Sequence, residues 1–188
     1  MREIDKRRRQ EGYLFFFGFA ACVPLANWLI YHFGTTCVPN GPCLIPVAPG
    51  MAAPSGVLAI GLALVLRDLV QRRLGLRWSA FAIAIGAILS ALFAPAALVL
   101  ASTTSFALSE CADLFVYTPL QRRDLVVAAL ASGLVGLIID SVVFLVLAFG
   151  NLDFLGGQII GKLWMVMATL PVLLWLRDRD RRLGLAPA

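Results

Sequence analysis

Apolar stretches of roughly twenty residues, separated by short arginine-bearing connections, recur along most of the chain, and each is long enough to cross the hydrocarbon core of a bilayer as a helix. No water-soluble core absorbs that pattern. Of the 188 residues, 60% are hydrophobic and 14% charged, with a mean hydropathy of +0.86, whereas an average soluble domain carries about 25% charged residues. The chain reads as an all-α integral membrane protein. Its net charge of +5 therefore calls for no nucleic-acid partner; the lipid bilayer accounts for it.

Six windows satisfy the length requirement: Tyr13–Phe33, Met51–Val70, Trp78–Ala94, Ala97–Leu120, Leu125–Phe149 and Gln158–Leu176. The third and fourth are one apolar run, divided at Pro95 because the run is twice the length of a crossing and Ala-Pro-Ala-Ala suits a tight turn. Six spans place both ends on one side, and Lys and Arg in short connections decide which. The N-terminal segment, the second-to-third connection (counted with Arg67), the fourth-to-fifth connection and the tail hold 15 of the 16 basic residues. Lys162 is the exception. Both termini are thus expected in the cytoplasm, with a basic N-terminus (1–12), a six-helix transmembrane bundle (13–176) and a basic tail (177–188). The first stretch is too long for the core of a secretory signal and lacks a small-x-small exit, so an uncleaved helix is expected.

Cys22 and Cys111 fall inside spans and suit apolar filling. Cys37 and Cys43 lie in the uncharged outward connection Gly34–Gly50, which also holds Pro39, Pro42, Pro46 and Pro49. Oxidising conditions permit a disulfide there, and the spacing leaves paired and free states equally open. Further His or Cys ligands are lacking, so the sequence implies no metal.

Ionisable side chains inside a span cost about 2.5–3.5 kcal/mol each on insertion scales and mark functional positions by default. Glu110 and Asp113 lie in the fourth span, Asp140 in the fifth, Lys162 in the sixth and Asp68 near the inner end of the second. With about 1.5 Å of rise per residue, they form a ladder through the membrane, Glu110 near the midplane. At about 100° per residue, Ser102, Ser105, Phe106, Ser109, Glu110, Asp113 and Tyr117 share an arc of roughly 140°. On the fifth span, Ser132, Gly136, Asp140 and Phe144 recur at intervals of four and outline a groove. Hydroxyls and small residues also serve plain helix packing. Asp68 has Arg72 at i+4, Asp124 neighbours Arg123, and Lys162 either snorkels outward or pairs with Asp140 or Asp153. Glu110 and Asp140 reach no interface, and against one lysine they leave a negative charge that a proton or a ligand must balance.

The stretch Ala101-Ser102-Thr103-Thr104-Ser105-Phe106, followed by Ser109-Glu110, Asp113 and Val116-Tyr117, resembles the signature helix of the VUT family, the queuosine precursor transporters. Ser132 through Gly136 to Asp140-Ser141, Phe144 and Ala148-Phe149 is similar to the family's second signature. Lys162 with Pro171, Asp68-Leu69 with Gly75, and Asn27 fit further positions. The resemblance implies import, across a bacterial inner membrane, of 7-cyano-7-deazaguanine and 7-aminomethyl-7-deazaguanine for tRNA modification. A carboxylate of Glu110 or Asp140 can accept two parallel donors from a guanine-type edge. The flat ring would stack on Phe106, Tyr117, Phe144 or Trp164, an interaction worth about 1–3 kcal/mol in other sites, and Ser102, Ser105 and Ser109 would complete the polar contacts. Asp113 and Lys162 complete the expected substrate-binding set, placed between the fourth, fifth and sixth helices.

The sequence offers no catalytic residues, cofactor or Walker-type loop, so ATP hydrolysis by the chain itself is not expected. Facilitated diffusion and proton coupling through a desolvated carboxylate both remain open, as does a homodimer. Three rival readings are a substrate-binding subunit of an energy-coupling-factor importer, a membrane enzyme using Glu110 and Asp140 as acid and base, and a scaffold whose buried polar groups fix helix register.

Overall fold

The computed structural model describes residues 2–37 and 42–185. Pro39 of the outward connection and the last three residues of the tail lie outside the described residues. Six long helices run up and down: α1 Arg2–His32, α2 Val57–Leu74, α3 Leu76–Phe93, α4 Val99–Leu120, α5 Leu125–Phe149 and α6 Leu155–Leu183. Five of them are long and apolar enough to cross a membrane. The exception is α2, whose second half carries Arg67, Asp68, Arg72 and Arg73.

The expected break at Pro95 is present. Residue 94 leaves the helix in an extended conformation and Ala96–Leu98 form a single 3₁₀ turn before α4 begins. The α5 boundaries coincide with the apolar window, because Asp124 caps one end and Gly150 closes the other with φ +68°, as an aspartate N-cap and a left-handed glycine do. Elsewhere the helices overrun the windows. α1 begins at Arg2 and α6 runs on to Leu183, into the basic N-terminal and tail segments, since Arg and Lys are good helix formers once a helix is nucleated.

Two expectations about the outward connection are corrected. The stretch Gly34–Gly50 is not a plain loop, and the second span does not begin at Met51. Residues β1 Thr36–Cys37, β2 Cys43–Ala48 and β3 Met51–Pro54 form an antiparallel sheet in the order β1-β2-β3. Cys37 and Cys43 face one another across β1 and β2 and are disulfide-bonded. Gly50, at φ +71°, makes the turn into β3. The sheet closes one end of the bundle: Val47 and Ala53 pack with Val57, the Trp164 indole N–H donates to the Val47 carbonyl at 3.0 Å, and the Ser55 hydroxyl donates to Leu29 at 2.7 Å.

α2 is the axis of the bundle. Thirteen of its eighteen residues are buried, and it packs against each of the other five helices. Gly61 lets it approach α6 so closely that a Cβ there would lie 2.6 Å from the Lys162 carbonyl. The outer faces of the remaining helices are apolar and open: Phe115 is 79% exposed and Leu92 and Leu100 are 73% exposed. In water such a surface would aggregate; against lipid it is the expected exterior.

The ends of the bundle differ in charge. Glu11 of α1 and Arg179 of α6 form a two-pronged ion pair at 2.6 and 2.7 Å, which places the two termini at the same end. Asp180 receives Arg72 and Arg73 from the last turn of α2 at 2.9 Å each. The connections at the opposite end, 33–56, 94–98 and 150–154, contain no Lys or Arg. One assignment in the charge count is corrected: Arg67 is not part of the second-to-third connection but is fully buried in the bundle.

Candidate functional site

A cavity of about 80 Å³ lies in the half of the bundle nearest the sheet, and all six helices contribute to its wall. At roughly 10–15 Å³ per water measured this way, it has room for about half a dozen water-sized groups. The expected location between α4, α5 and α6 is thus widened: α1 adds Asn27, α2 adds Val57 and Ile60, and α3 adds Ser90.

Polar groups converge from several directions. Lys162 of α6 donates to Asp140 at 2.6 Å, to Ser141 at 2.7 Å and to Gln158 at 2.9 Å, which uses all three ammonium protons. The lysine is thereby held in the bundle with Asp140 rather than snorkelling or pairing with Asp153. Asp140, Gln158 and Lys162 all line the cavity, together with Ser102 and Ser105 of α4. The Ser105 hydroxyl donates to the Ser102 carbonyl at 3.3 Å, and the Asn27 amide donates to Val23 at 3.0 Å. Phe106 and Phe144 supply aromatic walls. Phe106 is fixed by close contact with Gly86 of α3, where a Cβ would collide with its ring.

One helical turn beyond Phe106 stands a second polar layer centred on Arg67. Its Nε donates to Glu110 Oε2 at 3.0 Å and its Nη2 pairs with Asp68 Oδ1 at 3.1 Å and with Asp113 Oδ1. Gln71 accepts from Nη1 at 3.3 Å, Ser132 donates to Asp68 Oδ2 at 3.0 Å, and the Tyr117 ring lies under the guanidinium at 5.8 Å. Every one of these side chains is buried.

The sequence-derived residues therefore divide. Ser102, Ser105, Phe106, Asp140, Phe144 and Lys162 meet at the cavity. Glu110, Asp113 and Tyr117 gather around Arg67 instead, while Asp140 remains near enough to Glu110 to repel it. Ser109 is buried and donates to the Phe106 carbonyl within its own helix at 3.0 Å. Trp164 does not reach the cavity: it is 61% exposed on the outside of α6, its N–H taken by the sheet. Two pairings and one groove are also corrected. Asp68 is paired with Arg67 rather than Arg72; Asp124 caps α5 and pairs with Arg181 at 3.0 Å rather than Arg123; and Gly136 opens no groove, because Asp113 fills the space beside it.

Ser90 and Gln158 were not singled out from sequence. Gln158 precedes Lys162 by four residues and so shares its helix face, a signal that could have found it. Ser90 is one polar residue in an otherwise apolar stretch and gives no comparable sign.

A helical multi-pass membrane protein with a polar, aromatic-walled cavity reached by every helix has the build of a small-molecule carrier or receptor. Residues 90–176 match the model of a family described as "putative vitamin uptake transporter". The match takes in the end of α3, all of α4 and α5 and most of α6, a little under half of the chain, and supports assignment to that family. No curated protein and no solved structure matches the chain.

Proposed function

We propose that the chain is a transporter of six crossings, with both termini in the cytoplasm of a bacterium, that imports the 7-deazaguanine precursors of queuosine through the cavity. The observation that carries this reading is the composition of the cavity wall. Asp140 presents a carboxylate suited to the paired ring N–H and amine of a guanine-type edge. Gln158, Asn27, Ser102 and Ser105 supply further donors and acceptors, and Phe106 and Phe144 offer faces for stacking. Lys162 holds Asp140 in place and neutralises it when the cavity is empty. The crowding of basic residues at the end that bears both termini supports the orientation.

The test is uptake of labelled 7-cyano- and 7-aminomethyl-7-deazaguanine by cells unable to make them. Cells with the unaltered chain accumulate label, and Asp140→Asn and Lys162→Ala lose uptake at unchanged expression. Uptake that survives both substitutions overturns the site. Liposomes containing only the purified chain should move the compound unaided; a requirement for partner subunits overturns the autonomous carrier in favour of a binding subunit.

A further inference from the structure

We infer that Asp68 and Asp113 together form a proton-binding site, holding one exchangeable proton that is taken up and released as the transporter works. This deepens the transport reading and rests on it only where cargo movement is concerned.

Both carboxylates converge on a single nitrogen, Nη2 of Arg67, and both side chains are essentially inaccessible. Arg67 is also engaged by Glu110 through Nε, so three carboxylates share one guanidinium. Carboxylates that occupy one dry site cannot all stay ionised against a single cation. A proton on one of the carboxylates restores the balance without any further ligand. Asp113 Oδ2 has no hydrogen-bond partner among the described residues, and it sits against Gly136, where a Cβ would approach to 3.2 Å.

Tyr117 provides a second, independent sign. It is fully buried, its hydroxyl has no partner among the described residues, and its ring lies 5.8 Å from the guanidinium that both aspartates share. The charged and titratable groups facing the pair are Arg67 on α2, with Arg72 acting on Tyr117 from farther along; Glu110 and Tyr117 on α4; and Asp140 on α5, acting on Glu110. Ser132 is a neutral donor to Asp68. Among the described residues α1, α3 and α6 add no ion pair to it.

The pair lies along α2 between the cavity, at Ile60, and the ion-pair layer at Arg72 and Arg73, about 12 Å from the first and 6 Å from the second at 1.5 Å per residue. A proton bound there can be exposed first toward one side and then the other as the helices rearrange. The step is transfer of a proton between water and a carboxylate oxygen; no other bond changes.

Infrared spectroscopy of the purified full chain in lipid tests this without cargo. At neutral pH the unaltered chain should show the C=O stretch of a protonated carboxyl, shifted by a heavy-carbon label on the aspartyl carboxyls. Asp68→Asn and Asp113→Asn should each abolish it, and the exposed Asp178→Asn should not. Absence of the band, or its survival in both variants, overturns the site. In liposomes, an inward proton gradient should raise uptake of labelled 7-aminomethyl-7-deazaguanine by the unaltered chain, and the ratio with to without gradient should fall to unity in either variant. A ratio that persists in both overturns the inference. If the unaltered chain moves none of the compound, the cargo reading fails and the infrared result alone decides the proton site.

Discussion

At Arg72 and Arg73, α2 carries two cations into an ion-pair layer where, with Arg179, three guanidiniums meet Asp180 and Glu11; a turn and a half earlier, at Arg67, it carries one cation into three carboxylates. The first layer lies at the basic end of the bundle and, although Arg73 and Asp180 are buried, its Glu11 and Arg179 side chains are about a quarter exposed, so water and lipid headgroups can make up an imbalance there. Its forked contacts fasten the ends of α1, α2 and α6. The second is walled in on every side, so its imbalance has to be met from within. Equal chemistry at different depth gives a fastening in one place and a titratable site in the other.

Removing a cation from each layer should separate the two most sharply. Arg67→Met strips three buried carboxylates of their partner and should cost about 3–5 kcal/mol, the usual consequence of leaving a buried charge unpaired; the detergent-solubilised protein should lose its monodisperse peak and melt far lower. Equal damage from Arg72→Met, where Arg73 still holds Asp180, would break the comparison. Asp180→Asn should be milder, about 1.5–3 kcal/mol, the range for hydrogen bonds to charged groups, read as a lower melting temperature. Asp124→Ala at the same end removes an N-cap that accepts from Val126 at 2.8 Å and Val127 at 3.1 Å and should cost about 1 kcal/mol. Smallest of all, raising salt from low to physiological strength, where the screening length is about 8 Å, should lower the melting temperature of unaltered protein slightly and leave the increment due to Arg67→Met unchanged.

Hydropathy made the helices legible because a crossing needs a fixed length of apolar chain. The division at Pro95 and the limits of α5 followed from turn and capping chemistry written locally in the sequence. The sheet at 36–54 was hidden because an uncharged, proline-bearing stretch reads as a loop, and its strands find partners only across the turn at Gly50 and the link between Cys37 and Cys43. Arg67 was missed for a different reason. An arginine near the edge of an apolar window is ordinarily a marker of topology, and only the arrival of Glu110 and Asp113 from α4 makes it a core residue. Asp140, Lys162, Phe106 and Phe144 were legible as polar or aromatic positions on shared helix faces, whereas Trp164 was not separable from them, since spacing does not say which face of α6 turns inward.

The position of α2 at the axis bears on how the chain is made. A segment with an arginine at such depth gains too little from lipid to settle there alone, at about 2.5–3.5 kcal/mol against it for that residue. Besides the adjacent Asp68, its counter-charges, Glu110 and Asp113, lie more than forty residues downstream. The polar half of α2 is then matched only once α4 has been delivered, so that the innermost helix is among the last to be seated.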